Sequence, residues 1–273
     1  MDSKFNNYVA QIQTEQMIWP AYYHEQNKNY EHILPLNKEV KILECGPGRG
    51  YFTDWLICKG YENITLVELD EENNDFLKNK YKNFPNIHIV KNDMTGYLKT
   101  TSCSFSLIIS RMVLEHIPVD QISDVFSYGK KCLDEGGIMV HETINAANFI
   151  YGSYYRYNDF SHSISFTAKS LREFAGEQVT VREYKRPSIF TIIKSKFTKE
   201  VASSVDELKA RISLQKTGTE PLTKKKNRLS IYKGLVYHVI TSLRWSLSRL
   251  ITYIFYKEIT TIYSHFLIVE LRK

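Results

Sequence analysis

Between Val40 and Gly50 the chain reads VKILECGPGRG. An apolar run long enough for a buried strand ends in an acid, Glu44, and opens into a turn with glycine at three alternate positions, Gly46, Gly48 and Gly50. Glycine removes the side chain that would keep a ligand off the main chain and reaches backbone conformations closed to other residues. A turn of this kind between a strand and a helix suits a nucleotide, because the helix start presents N–H groups to anionic or polar ligand atoms. The dinucleotide fingerprint G-x-G-x-x-G wants a small third residue, and that position is occupied here by Tyr51. The G-x-G-x-G spacing favours a different nucleotide-like ligand, and the rest of the chain must separate that reading from a turn with no ligand at all.

Strand-like runs alternate with helical patterns beyond the turn. VKILEC (40–45), ITLVEL (64–69), IHIV (87–90), FSLIIS (105–110) and GIMVHETI (137–144) are separated by the helix-compatible YFTDWLICKG, EENNDFLKNKY and VDQISDVFSYGKKCL. Strands separated by single helices form right-handed crossovers and a mostly parallel sheet covered on both faces, so the expected fold is doubly wound α/β. A helix TAKSLREF (167–174), a strand QVTVREY (178–184) and a closing strand HFLIVELR (265–272) complete the pattern, and no 20–50-residue repeat is visible. The organisation predicted is a helical cap over 1–35, a core over 36–186, a basic and largely helical insertion over 187–258, and a final strand over 259–273 returning to the core sheet.

In a doubly wound sheet ligands lie beyond the C-terminal strand ends, so the polar residues there are the candidates. Glu68 closes the second strand 20 residues beyond Gly48, where a carboxylate accepts two hydrogen bonds from vicinal ribose hydroxyls. After the third strand, KNDMTGY offers Asp93 to an adenine amino group and Met94 as a cover for the ring. The fourth strand runs into SRMVLEHI and the fifth into HETINAAN.

These residues resemble the class I S-adenosylmethionine-dependent methyltransferases over roughly 34–182. The acid and G-x-G-x-G of the family's first motif match Glu44, Gly46, Gly48 and Gly50; its second-strand acid matches Glu68 and its adenine-side acid Asp93. FSLIISRMVLEHIP matches the fourth-strand motif, and LDEGGIMV the L-x-x-G-G before the fifth strand. The resemblance implies a Rossmann-like sheet binding S-adenosylmethionine (AdoMet) and its product S-adenosylhomocysteine through these residues, with Met94 and Arg111 beside them and no metal.

A narrower similarity appears in NAANFIYGSYYRYNDFSHSISFTAKSLREF (145–174), which is similar to a segment R-Y-x-D-F-T-H-E-x-x-F-T-x-x-S-L of bacterial surface-polysaccharide methyltransferases. Arg156, Tyr157, Asp159, Phe160, His162, Phe166, Thr167, Ser170 and Leu171 stand at the matching places, while Ser161 replaces Thr and Ser163 replaces Glu. This implies O-methylation of a sugar that is free, nucleotide-linked or lipid-linked, with Glu115, Tyr155, Arg156 and Asp159 on the acceptor side. The same segment also reads as a loop in which Asp159 and His162 only fix the chain and cap the next helix.

A sulfonium methyl is already activated, so the protein must mainly align donor and acceptor at near-attack distance. A sugar hydroxyl loses its proton as the new bond forms, which calls for a base with a pKa near working pH, and histidine suits that task. Of the 8 histidines, His116 follows the fourth strand at the cleft mouth, where sugar O-methyltransferases resembling this fold keep a base. His162 is the second choice, and Glu142 at the fifth strand end is expected to orient His116 as carboxylates do in other histidine-base systems. His88 and His141, within strand runs, are expected to be packing residues.

Charge and composition narrow the setting. Four cysteines without C-x-x-C spacing argue against a disulfide framework or zinc site and for a reducing cytoplasm. The first 20 residues hold no apolar core like that of a signal peptide and no 18-residue apolar run occurs, so neither secretion by that route nor a membrane span is expected. Residues 181–273 carry 19 Lys and Arg against 7 Asp and Glu, whereas the preceding residues carry 17 against 23. The basic part contains KKKNR (224–228) and an apolar helical stripe from Leu235 to Ile254, readable as packing, as a peripheral contact with an anionic membrane, or as a phosphate-binding lid. Nucleic acid would also suit a basic surface, but the fourth strand lacks the N/D-P-P-Y/F motif used in methylating base amino groups. An AdoMet-binding adaptor without catalysis would keep the glycine turn yet lose the strand-end acids that are retained here.

Overall fold

The computed structural model describes residues 19–148, 152–185 and 266–273. These fall into two compact units, one holding residues 19–31 and the other the remainder. In the first, α1 (Trp19–Tyr30) carries an internal side-chain bond from Asn29 Nδ2 to the Glu25 carbonyl at 2.9 Å. Most of the expected cap and of the basic insertion, including KKKNR and the 235–254 stripe, lies outside the described residues. Among the described residues no helix is long and apolar enough to cross a membrane.

The second unit is built on one seven-stranded sheet of order β3-β2-β1-β4-β5-β7-β6. Its strands are β1 (Ile42–Cys45), β2 (Ile64–Glu68), β3 (Ile87–Lys91), β4 (Phe105–Arg111), β5 (Leu133–Ile144), β6 (Thr180–Glu183) and β7 (Phe266–Arg272). The first five run parallel, and β7 lies antiparallel between β5 and β6. All four residues of β1 are buried, as expected for a central parallel strand covered on both faces. β1 pairs with β2 on one side and β4 on the other, so the chain reverses its direction of progress across the sheet at β1/β4. The C-terminal ends of these strands therefore frame the crevice where doubly wound folds hold their ligands.

The helices are α2 (Tyr51–Cys58), α3 (Glu71–Lys80), α4 (Met94–Thr100), α5 (Ile122–Lys131), α6 (Gly152–Asn158) and α7 (Ala168–Ala175). Side-chain oxygens satisfy the exposed N–H groups at three helix starts: Asp70 accepts from Asn73, Asp93 from Gly96, and Thr167 from Ser170 in a reciprocal capping box. Hence Thr167 and Ser170, not Asp159 or His162, cap the helix after the loop. Helix α5 buries Ile122, Val125 and Phe126, the i, i+3, i+4 face of an amphipathic helix.

Three expectations are corrected in the core. β5 begins at Leu133, so LDEGG belongs to the strand, and the extra length is absorbed by a register shift between Phe105 and Leu107. KNDMTGYLKT holds a helix, α4, that its weak pattern concealed. His141 is a packing residue, fully buried and bonded to Ser110 Oγ at 2.7 Å, but His88 on edge strand β3 is exposed.

Candidate functional site

The three glycines of the turn all have positive φ, at +68° for Gly46, +54° for Gly48 and +74° for Gly50, a region that strains residues bearing a Cβ. Their surroundings differ. A Cβ on Gly46 would lie 2.4 Å from Val113 Cγ2, whereas one on Gly48 would meet nothing within 4 Å. Gly46 thus lets the turn close on the segment after β4, and Gly48 leaves its main chain open to an incoming molecule.

Carboxylates and one helix end hold this turn. Glu68 accepts from Gly48 N and from Asp70 N, each at 3.0 Å and one on each oxygen, which fixes the carboxylate plane and leaves lone pairs on both oxygens for a pair of hydroxyls. Burial raises its pKa, and the backbone bonds from Asp70 and Gly48 oppose that rise. Glu44 is buried and accepts from Thr53 Oγ1 at 2.7 Å; desolvation pushes its pKa to about 7 against the Thr53 bond and the Arg111 charge. From the end of α3, Lys80 Nζ reaches the Arg49 carbonyl at 2.8 Å and Asp54 Oδ2 at 2.6 Å. The Tyr81 hydroxyl lies 2.7 Å from both the Gly50 carbonyl and Asp54 Oδ1. Lys80 and Tyr81 carry no motif signal, because a residue some 30 positions from the turn acquires its role only when α3 packs beside it.

Asp93 stands exposed at the end of β3 with Oδ1 used on Gly96 N at 2.7 Å. Met94, expected to cover the ring, is 4% exposed and belongs to the hydrophobic core cluster beside Asp93. Arg111 pairs with Glu142 through Nε at 2.8 Å and lies over the Phe52 ring at 5.3 Å.

The second half of the site begins where β4 stops. Met112 adopts φ +55° and donates its N–H to the Glu142 carbonyl at 2.8 Å, turning the chain into a 3₁₀ turn, Leu114–His116. The loop after α6 docks on that turn through main-chain bonds from Ser163 N and Ile164 N to the Glu115 carbonyl at 2.7 and 3.4 Å. Its base is closed where Ala146 N donates to the Phe166 carbonyl at 2.8 Å. This docking brings the His116 and His162 rings to a centroid separation of 4.6 Å.

The side chains of this half interlock. Ser161 Oγ lies 2.9 Å from His116 Nδ1 and 2.6 Å from Asp159 Oδ1. His162 Nδ1 lies 2.7 Å from the Tyr155 carbonyl, and its Nε2 is 3.7 Å from Asp159 Oδ2. Desolvation, with the His162 charge, lowers the pKa of His116 despite Asp159 and Ser161. Glu115 is fully buried, with Oε2 accepting from Thr143 at 2.9 Å and Oε1 lacking a partner; desolvation raises its pKa to about 8. One donor atom from each of Glu115, His116 and His162 lies within 4.8 Å of the others. Arg156 donates to the Ser163 carbonyl at 3.0 Å, and the Tyr155 ring faces Phe266 at 5.5 Å.

Most expected site residues thus meet at the β1, β2, β4 and β5 ends, with two changes of role. Glu142 was expected to orient His116, but the group bonded to His116 is Ser161, because the Arg111 guanidinium draws the Glu142 carboxylate to the strand end. Glu115 is enclosed and held by Thr143, so its side chain supports the turn from behind. Ser161 was noted in sequence only as a replacement for Thr.

The comparisons agree with this architecture. The methyltransferase-domain family matches residues 19–178, more than half of the chain. A solved SAM-dependent methyltransferase from Archaeoglobus fulgidus superposes with a TM-score of 0.58 at 14% identity, covering 97% of this chain and 99% of that one, which shows a shared fold. Ribosomal RNA small subunit methyltransferase A of Coxiella burnetii (strain RSA 331 / Henzerling II) is 44% identical over 56 residues, 20% of this chain and 21% of that protein. An rRNA adenine N-6-methyltransferase of Lysinibacillus sphaericus is 32% identical over 66 residues, 24% of this chain and 27% of that protein. The chain therefore spans only about a fifth to a quarter of the length of these curated relatives. The family match shows that the chain belongs to the methyltransferase-domain family, and a glycine turn open at Gly48, a backbone-fixed Glu68 and an exposed Asp93 stand at the strand ends of that fold.

Proposed function

We propose that the chain methylates a hydroxyl group on a sugar of a bacterial surface glycan or its nucleotide- or lipid-linked precursor, with His116 as the general base. The observation that carries this reading is an exposed histidine held by Ser161, on the 3₁₀ turn whose preceding Val113 meets Gly46, with its pKa lowered by burial and the His162 charge. Glu68 and Asp93 hold the ribose and adenine, and the turn at Gly48 admits the donor's backbone contacts. AdoMet, when bound, supplies a methyl group made electrophilic by its sulfonium charge. The chain's own contribution is alignment and proton removal: Val113 against Gly46 sets the 3₁₀ turn beside the donor turn, and His116 takes the acceptor's proton.

Exposed aromatic faces support a sugar acceptor. Tyr157 and Phe160, 73% and 90% exposed, flank Asp159, and flat rings next to a carboxylate suit the C–H face and hydroxyls of a pyranose. An RNA acceptor is the reading that the two rRNA-methyltransferase relatives favour, and the SRMV sequence at the end of β4 speaks against base-amino methylation. Incubation of the full chain with methyl-labelled AdoMet and either nucleotide sugars and extracted surface glycan or bacterial RNA separates them. Label recovered in a methylated sugar is the expected result, and label confined to RNA overturns it.

A further inference from the structure

We infer that Asp159 and Ser161 are positioning residues that lock His116 in its Nδ1–H tautomer, so that Nε2 is the atom receiving the acceptor's proton. This rests on the reading of His116 as the base and assigns the atom and the device. A serine hydroxyl has one proton to give. Ser161 Oγ is 2.6 Å from Asp159 Oδ1 and 2.9 Å from His116 Nδ1, so it donates to one and accepts from the other. Asp159 Oδ1 also receives the Ser161 main-chain N–H at 2.9 Å, as expected of an ionised carboxylate that only accepts. Burial raises the Asp159 pKa, but the two Ser161 bonds and the histidine charges outweigh it and leave the pKa lowered. The Ser161 proton therefore points to Asp159, and its lone pair takes a proton from His116 Nδ1. A neutral imidazole with Nδ1 protonated carries its lone pair on Nε2.

The neighbouring ring is set the same way, for His162 Nδ1 lies 2.7 Å from the Tyr155 carbonyl, which can only accept. The polar and titratable groups around His116 are Ser161, Asp159, His162 and Glu115. In the reaction the acceptor's O–H bond breaks and an Nε2–H bond forms, while Nδ1–H stays in place. The positive charge gained by the ring is shared through Ser161 with Asp159. A threonine at position 161 would supply the same hydroxyl.

Long-range ¹H–¹⁵N correlation spectra of the histidine rings in the full chain report the tautomer without any substrate. The His116 signals are assigned by their loss in His116→Gln. The expected wild-type pattern is Nδ1–H, shifting toward Nε2–H in Ser161→Ala and Asp159→Ala and returning in Ser161→Thr. With a methyl acceptor in hand, Ser161→Ala should lower kcat by at least about 10-fold with KM little changed, and Ser161→Thr should restore it. Ser161 is exposed, so its alanine variant keeps the fold. An Nε2–H pattern in the wild type, or a tautomer unmoved by Ser161→Ala, overturns the inference. Because the spectra involve no turnover, they stand whether or not the acceptor is a sugar.

Discussion

The two halves of the site, proposed for donor and acceptor, are built by different means. Around Gly46 to Gly50 and Glu68 the binding groups are main-chain conformations and carboxylates tied to main-chain N–H groups. Around His116 the working contacts run from side chain to side chain, across 45 residues in the case of Ser161 and His116. The first arrangement tolerates little change because only glycine lacks the Cβ that the left-handed conformation and the Val113 contact exclude. The second can change acceptor by exchanging loop residues while the donor half is retained. The two halves touch at Gly46 and Val113, where a Cβ on the glycine would clash.

The largest effect that would break this division is expected at His116. His116→Ala should lower turnover by about 10² to 10⁴-fold while leaving AdoMet affinity near wild type by calorimetry. A parallel loss of affinity would show that the halves are not separable. Glu68→Ala is the converse, and losing charge-assisted bonds worth roughly 1.5 to 3 kcal/mol each should weaken AdoMet binding by at least about 10-fold. Retained affinity in that variant would remove Glu68 from the donor site.

The glycines give a smaller and sharper contrast. Both Gly46→Ala and Gly48→Ala incur the left-handed strain of roughly 1 to 2 kcal/mol, but only the first adds a clash, with Val113. Gly46→Ala should therefore cost about 1 to 3 kcal/mol more in denaturant unfolding, and combining it with Val113→Ala should recover part of that. Equal losses at the two glycines would mean that the contact between the halves is not tight.

The smallest effect concerns pH. Activity should fall on acidification through the pKa of His116, which burial and the His162 charge hold below the ordinary histidine value of 6.5. Since the His162 charge lowers that pKa, His162→Gln should move the acid limb of kcat/KM to higher pH. The shift should be partial because burial, the larger cause, remains. An acid limb moving to lower pH would show that the two rings do not repel.

A divalent cation titration sharpens the acceptor half. One donor atom from each of Glu115, His116 and His162 lies within 4.8 Å of the others, so added zinc or manganese should compete with the proposed base for the His116 lone pair. Inhibition that chelator reverses is expected. Activation by the cation would transfer the role of His116 from base to ligand.

The sequence legibly encoded what depends on local chemistry. Alternating apolar runs gave the five parallel strands, and glycine spacing gave the left-handed turn after β1, because those signals are written within a few residues. Where local signals were weak, the reading failed. Helix α4 was missed behind a glycine and two β-branched threonines, and the start of β5 was hidden by the glycines of LDEGG. Met94 was expected on the ligand side, and position alone does not reveal which face of α4 meets the core.

By itself, then, the sequence determined the sheet, the glycine turn after β1 and the identities of the carboxylates and histidines at the strand ends. Tertiary structure alone decided their partners. Lys80 and Tyr81 reach the glycine turn only because α3 lies beside it, and Arg111 claims Glu142 only because β4 and β5 pair in the register Arg111 to Glu142. Ser161 becomes the partner of His116 only because main-chain bonds dock its loop on Glu115. Hydrogen bonds act over about 3 Å of space without regard to sequence separation, so side-chain pairings across tens of residues have no local pattern from which to be read.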